Sequence, residues 1–269
     1  MTRRTNTPPR STLAFFGLTF LLTAPIWAIS AWSGVQLLPG LSLAAVAVVC
    51  PAAAAVILAC RRGGLAGGMT LLTGAFDIGR MGSKTWWLPI LLISPAVSIA
   101  VFLALRLSGS SIPDPQIGGL ASLGLFAVFL IGAVSEELGW SGFALDPLQA
   151  RWGALAAALL VGAVWAVWHY PALVQAHRSV AWIAWWTVGT LALRLIMVWL
   201  FNGTGGSVFA VAVFHAVSNL CWQLFPIQGS WFDPRLHGLF MAAVALTVVL
   251  STRHQGDAYR ARARERLLN

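Results

Sequence analysis

The chain has 269 residues, is 58% hydrophobic and 9% charged, and carries a formal net charge of +9. A soluble domain carries about 25% charged residues, so the deficit and the long apolar runs exclude an ordinary soluble protein and point to a bilayer. Nucleic-acid binding is excluded as the meaning of the positive charge, because the arginines gather at the tails and in one connection, where basic flanks report membrane topology.

A membrane-crossing helix needs roughly 20 apolar residues. Residues 1–12 form a basic tail, expected to be disordered over its first ten positions, and the first span covers 13–33. Ala28-Ile29-Ser30 mimics a signal-peptide cleavage site, but the apolar run exceeds a signal-peptide core and reads as a retained span. The second span covers 41–60 and ends at Arg61 and Arg62; the glycine-rich stretch 65–83 reads as an interfacial loop or short helix. The third, 86–107, opens on Trp86-Trp87, side chains suited to the membrane interface. After a Ser/Pro/Gly-rich loop at 108–119, a fourth helix starts near Leu120 and runs to about Leu145, where Asp146-Pro147 stops it. Spans five to eight are expected at 154–171, 180–201, 208–224 and 236–251, followed by an Arg-rich tail.

The expected architecture is therefore all-α: a polytopic transmembrane helix bundle of about eight spans. It forms one domain, 13–251, between basic tails 1–12 and 252–269, with no soluble second domain and no repeat. An even number of spans puts both tails on one side. Both tails and the 61–84 connection are basic, whereas 34–40 and 225–234 carry few or no cations, so the expected orientation is N-in, C-in. Cys50, Cys60 and Cys221 show no C-x-x-C pairing and read as packing residues. Arginine use with a single lysine, Lys84, suggests a GC-rich bacterial source and hence the cytoplasmic membrane.

Ionisable residues at membrane depth are functional candidates, because burying a charge in lipid costs at least a few kcal/mol. The fourth helix carries Glu136 and Glu137, which point about 100° apart. One can face a cavity while the other faces a neighbouring helix, and a desolvated carboxylate can serve as a general base. The competing reading solvates the pair at the cytoplasmic end of the helix. The fifth span holds Trp165 and His169, at i and i+4 on one face; the seventh holds His215 and Asn219 with the same spacing. Each polar group alone could merely glue helices together. Three inward polar faces on three helices favour a shared hydrolytic cavity. A Glu and a His would orient and deprotonate water there, while a second His and an Asn donate to a developing oxyanion. Glu136, His169 and His215 could alternatively hold a divalent metal such as zinc with water in the open position, although no H-E-x-x-H motif is present.

At these residues the sequence resembles the CAAX protease and bacteriocin-processing family of intramembrane proteases, related to the type II CAAX prenyl endopeptidase. The family pattern is E-E-x-x-x-R, then F-x-x-x-H, then H-x-x-x-N or D. Glu136-Glu137, His169, and His215 with Asn219 follow it in order, and Asn202-Gly203-Thr204-Gly205-Gly206-Ser207 precedes the seventh span. The resemblance covers about 134–220 and departs at two positions: Ser141 stands at the Arg of the pattern and Trp165 at its Phe. It implies that Glu136 and His169 activate water, that His215 and Asn219 form the oxyanion site, and that Glu137 supports the geometry. The implied mechanism is either metallopeptidase or metal-free glutamate type. Implied partners are membrane lipid and a peptide or prenylated protein substrate. Losing the Arg removes a cation able to hold a substrate carboxylate or pair with Glu137; Arg194 on the sixth span either replaces it or snorkels to the interface.

Two rivals remain. Gly139-Trp140-Ser141-Gly142 fits the G-x-S-G motif of rhomboid serine proteases, with Ser141 as nucleophile and a His on a later helix as its base. Alternatively the buried acids and imidazoles form the proton relay of a transporter, or the chain is a non-catalytic scaffold or immunity protein. A transporter would favour inverted repeats with paired broken helices, and none is evident.

Overall fold

The computed structural model describes residues 9–38, 41–115, 118–225, 229 and 231–267. The segment expected to be disordered lies outside these residues except for Pro9 and Arg10.

The helices fall where the apolar runs demand them. Among the described residues seven are long and apolar enough to cross a membrane, and an eighth, Val208–Leu224, is shorter. The all-α polytopic bundle of about eight spans follows. Among the described residues it is relieved by a small antiparallel ribbon, Gln36–Leu38 with Leu41–Ser42, in the first connection. Helix α1 (Pro9–Ser33) is followed by a 3-10 turn and α2 (Val49–Thr73). Helix α2 does not stop at the arginine pair. It kinks at Gly63-Gly64, where Gly64 has a φ of 62° that a side chain would disfavour. It then folds back closely enough for Gly67 to face the Ala59 carbonyl, where a Cβ would sit 2.8 Å away. The stretch read as an interfacial loop or short helix is thus the second arm of α2 plus short 3-10 turns.

Helix α3 spans Trp87–Leu107 and α4 spans Gly119–Glu137. The chain continues beyond Glu137 as a π-helical run, Leu138–Leu145, and then as α5 (Asp146–Trp152). Asp146-Pro147 does not end the helical path as expected. Pro147 falls in the first turn of α5, where its missing N–H costs nothing. A π-helical turn inside a helix frequently marks a functional site, and this one follows the two glutamates directly. Helices α6 (Ala154–Gln175), α7 (Val180–Gly203), α8 (Val208–Leu224) and α9 (Pro234–Thr252) complete the bundle. Helix α6 passes through Pro171, the expected end of the fifth span, for four more residues.

Helix α8 is the central element, packed by α3, α4 and α7. At about 1.5 Å per residue its 17 residues reach roughly 25 Å, short of a full crossing. Its buried run from Val208 to Val217 suits a helix walled by protein rather than lipid. The basic tail is not extended: α10 (Gly256–Arg266) docks back on α5. There Arg266 grips Asp146 through two bonds of 2.7 and 2.8 Å.

Candidate active site

Helix α4 delivers Glu136 and Glu137 into the protein interior, 4% and 0% exposed, not to a solvated helix end. Their neighbours differ sharply. Glu137 meets four donors. Its Oε2 accepts from Ser141 Oγ at 2.5 Å and from Arg194 Nη1 at 2.8 Å. Its Oε1 accepts from Arg194 Nη2 at 3.1 Å and pairs with His215 Nδ1 at 3.2 Å. An ionised carboxylate has about four lone-pair sites, so Glu137 is saturated. Glu136 receives one donor among the described residues, the Trp165 indole N–H, at 2.7 Å to Oε2.

Arg194 settles between its two readings. It lies nine residues before the C-terminal end of α7, too deep to snorkel, and is 0% exposed. Its planar fork makes a bidentate pair with Glu137. Its guanidinium carbon also lies 4.4 Å from the centroid of the Trp165 ring, a cation–π contact. Gly162 on α6 makes room for the arginine stem, since a Cβ there would stand 3.1 Å from Arg194 Cβ.

Trp165 occupies the middle of the cluster. Its ring meets His169 at 5.3 Å and His215 at 5.2 Å between centroids, both edge-on. His169 Nδ1 lies 2.8 Å from the Trp165 backbone oxygen. A carbonyl can only accept, so Nδ1 carries a proton, and in the neutral ring Nε2 keeps its lone pair. Trp186 of α7 closes the outer side of the His169 ring at 5.4 Å. The charges of Glu136 and Arg194 and the ring of His215 lie within electrostatic reach of His169. On α8, His215 is buried and directs Nδ1 to Glu137; Asn219 stands one turn further on and is partly exposed. Four helices rather than three build the site, because α7 contributes Arg194.

Two supports gave no warning in the sequence. Asp77, in the stretch read as an interfacial loop, caps the start of α8. It accepts from Ser207 Oγ at 2.7 Å and from the Val208 and Phe209 amides at 3.2 and 3.3 Å. Ser94 of α3 and Ser218 of α8 share a 2.5 Å hydrogen bond beside Asn219. Both contacts join residues more than 100 positions apart, so no local pattern foretells them.

Among the described residues no group of three His, Cys, Asp or Glu is placed to hold a metal ion. The three residues considered as ligands, Glu136, His169 and His215, have Oε2, Nδ1 and Nδ1 engaged by Trp165 Nε1, the Trp165 carbonyl and Glu137. Each keeps another atom open, Glu136 Oε1 and the two imidazole Nε2 atoms, but as placed the three do not form a metal triad among the described residues. Ser141 is 1% exposed; its hydroxyl contacts Glu137 and, at 3.5 Å, Arg194 Nη1.

Two carboxylates and two imidazoles gathered inside a helical membrane bundle fit an intramembrane endopeptidase, and comparison with known proteins supports that class. Residues 118–221 match the family model Type II CAAX prenyl endopeptidase Rce1-like, and with this match the resemblance carried by the motifs holds. CAAX prenyl protease 2 of Methanococcus maripaludis is 26% identical to the chain over 184 residues, which are 64% of this chain and 68% of that protein.

Proposed function

We propose that the protein hydrolyses a peptide bond in a membrane-associated substrate, a prenylated protein or a hydrophobic peptide, using water activated by Glu136. One observation carries this reading: of two adjacent buried glutamates, Glu137 has every acceptor site taken while Glu136 accepts one neutral donor. Glu136 thus keeps acceptor capacity for a water proton, and the indole N–H fixes its orientation.

In this reading Glu136 takes a proton from water as the water oxygen attacks the substrate carbonyl carbon. His169 accepts a hydrogen bond from that water through Nε2, its Nδ1 proton being given to the helix backbone. Asn219 donates its amide N–H to the developing oxyanion. His215, its Nδ1 turned to Glu137, would donate through Nε2 with both ring nitrogens protonated. Glu136 then passes its proton to the departing amine. Glu137 positions His215 and takes no part in proton transfer. The basic tails and the 61–84 connection support an N-in, C-in orientation in a cytoplasmic membrane.

The test is cleavage of a fluorogenic prenylated or hydrophobic peptide in proteoliposomes. Glu136→Gln should abolish cleavage and Ser141→Ala should leave measurable turnover. Loss with the alanine change alone would install a serine nucleophile. Solute uptake without cleavage would replace the protease by a transporter.

A further inference from the structure

We propose that Arg194, Trp165 and Ser141 form one positioning unit in which a cation supplied from α7 orients both glutamates: Glu137 directly, and Glu136 through the Trp165 indole. The proposal rests on the proteolytic reading above and concerns how this chain assembles that site.

Three features of the geometry converge. First, Ser141 and Arg194 address the same carboxylate oxygen, Glu137 Oε2, at 2.5 and 2.8 Å, and each other at 3.5 Å. Position 141 lies one helical turn beyond Glu137, so a longer cationic side chain there would reach the oxygens that Arg194 now holds. The guanidinium that holds this carboxylate comes from α7. Second, the same guanidinium stacks on Trp165, whose indole N–H is the donor to Glu136. A phenylalanine at 165 would have no N–H for Glu136 and a weaker face for the cation. The two departures from the motif pattern therefore meet at one side chain. Third, the room for that side chain is built in: Gly162 on α6 lies against Arg194 Cβ and Cγ at distances, 3.1 and 3.3 Å from an ideal Cβ, that an added methyl would crowd.

Arg194 contacts neither water nor substrate in this scheme. Glu137 held by the fork presents Oε1 to His215, and Trp165 pinned from above holds Glu136 Oε2, which leaves the other oxygen for water. Losing the cation releases both carboxylates together. Losing the indole releases Glu136 alone.

The experiment measures kcat and KM for the peptide substrate in proteoliposomes, with thermal unfolding as the folding control. Arg194→Gln should lower kcat about a hundredfold, the scale of a misplaced catalytic group, with KM changed far less. Arg194→Lys should recover only part, because an ammonium is a point charge without the fork. The swap Ser141→Arg/Arg194→Ser should cleave at least about tenfold faster than Arg194→Ser alone, a rescue that general packing loss would not give. Trp165→Phe should lower kcat roughly tenfold, as for one hydrogen bond to a charged group, and should add little to Arg194→Gln. Arg194→Gln turning over like wild type overturns the proposal. So does a folded swap variant no faster than Arg194→Ser. If Arg194→Gln does not fold, the lysine and swap variants decide alone. A silent wild-type protein defeats the proteolytic reading and this proposal together; an active wild type with a folded, unrescued swap defeats the proposal alone.

Discussion

Removing Arg194 strands a carboxylate shielded from bulk solvent: Glu137 and Arg194 are both 0% exposed. At 2.8 Å and an effective dielectric of about 20, the attraction between them is roughly 6 kcal/mol. Desolvation takes back several kcal/mol per ion, so the pair as a whole is close to neutral for stability. Breaking it from one side is different, because the remaining charge keeps its desolvation cost and loses its partner; such losses run about 3–5 kcal/mol. For a chain of this size, with roughly 2–4 °C per kcal/mol, Arg194→Met should lower Tm by about 6–20 °C. The double variant Glu137→Leu/Arg194→Met removes both charges while filling the space, and should unfold at a higher temperature than Arg194→Met. It still leaves the Ser141 hydroxyl and His215 Nδ1 without their acceptor, a residual cost of about 1–3 kcal/mol. Thermal unfolding in detergent micelles of wild type, both single variants and the double variant closes the cycle. A single arginine loss costing under about 1 kcal/mol, or a double variant as unstable as the two singles summed, would refute a buried ion pair inside the bundle.

Gly139→Ala should destabilise by about 1–3 kcal/mol, because its Cβ would stand 2.7 Å from the Pro51 carbonyl oxygen, a backbone atom that cannot step aside. Gly17→Ala, with nothing within 4 Å of its Cβ, should hold or raise Tm, and the two together check the α2 contact of the π-helical run. Asp77→Ala should cost about 1–2 kcal/mol as a lost helix cap and lower kcat as well, since the capped helix carries His215. Asp77→Asn, which keeps one acceptor oxygen, should recover part of both; equal losses from the two changes would show that charge, not capping, matters there.

Long apolar runs are the most legible signal in such a chain, because a bilayer permits few alternatives to helices of sufficient length. Span placement was readable for that reason, including the exact bounds of α8. Misreadings gathered at glycine and proline, whose effect depends on position within a helix. Pro147 was read as a stop and became the first turn of α5. Pro171 was read as an end and stayed inside α6, whose side chains are tied to α1 and α7 by the Gln175 bond to the Trp27 carbonyl and the Tyr170–Thr187 pair. Arg61, Arg62 and the paired glycines 63 and 64 were read as the end of the second span, and the glycines instead make a kink between two helical arms. The candidate residues could be named from i, i+4 spacing and residue type. What each one touches was less legible: Arg194 was named only as one of two readings, and Asp77 and Ser94 meet α8 from 124 to 132 positions away, pairings that no periodicity encodes.

Counting donors against lone pairs also weighs the serine mechanism against the acid one. A hydroxyl has one proton, and Ser141 gives its own to Glu137. To act as a nucleophile it would need a base able to take that proton. The carboxylate it faces is already bound twice by Arg194 and once by His215, and taking up a proton would neutralise it and leave the buried guanidinium without its counter-ion. No imidazole stands within hydrogen-bond range of Ser141 among the described contacts, for His215 directs Nδ1 to Glu137 and His169 directs Nδ1 to the Trp165 carbonyl. The G-x-S-G pattern at 139–142 thus has a structural explanation at each fixed position: Gly139 for the approach of α2, Ser141 for the Glu137–Arg194 pair, and Gly142 for contact with Val208 of α8. Glu136, with one donor on Oε2, is the carboxylate of the cluster that keeps open acceptor sites among the described contacts.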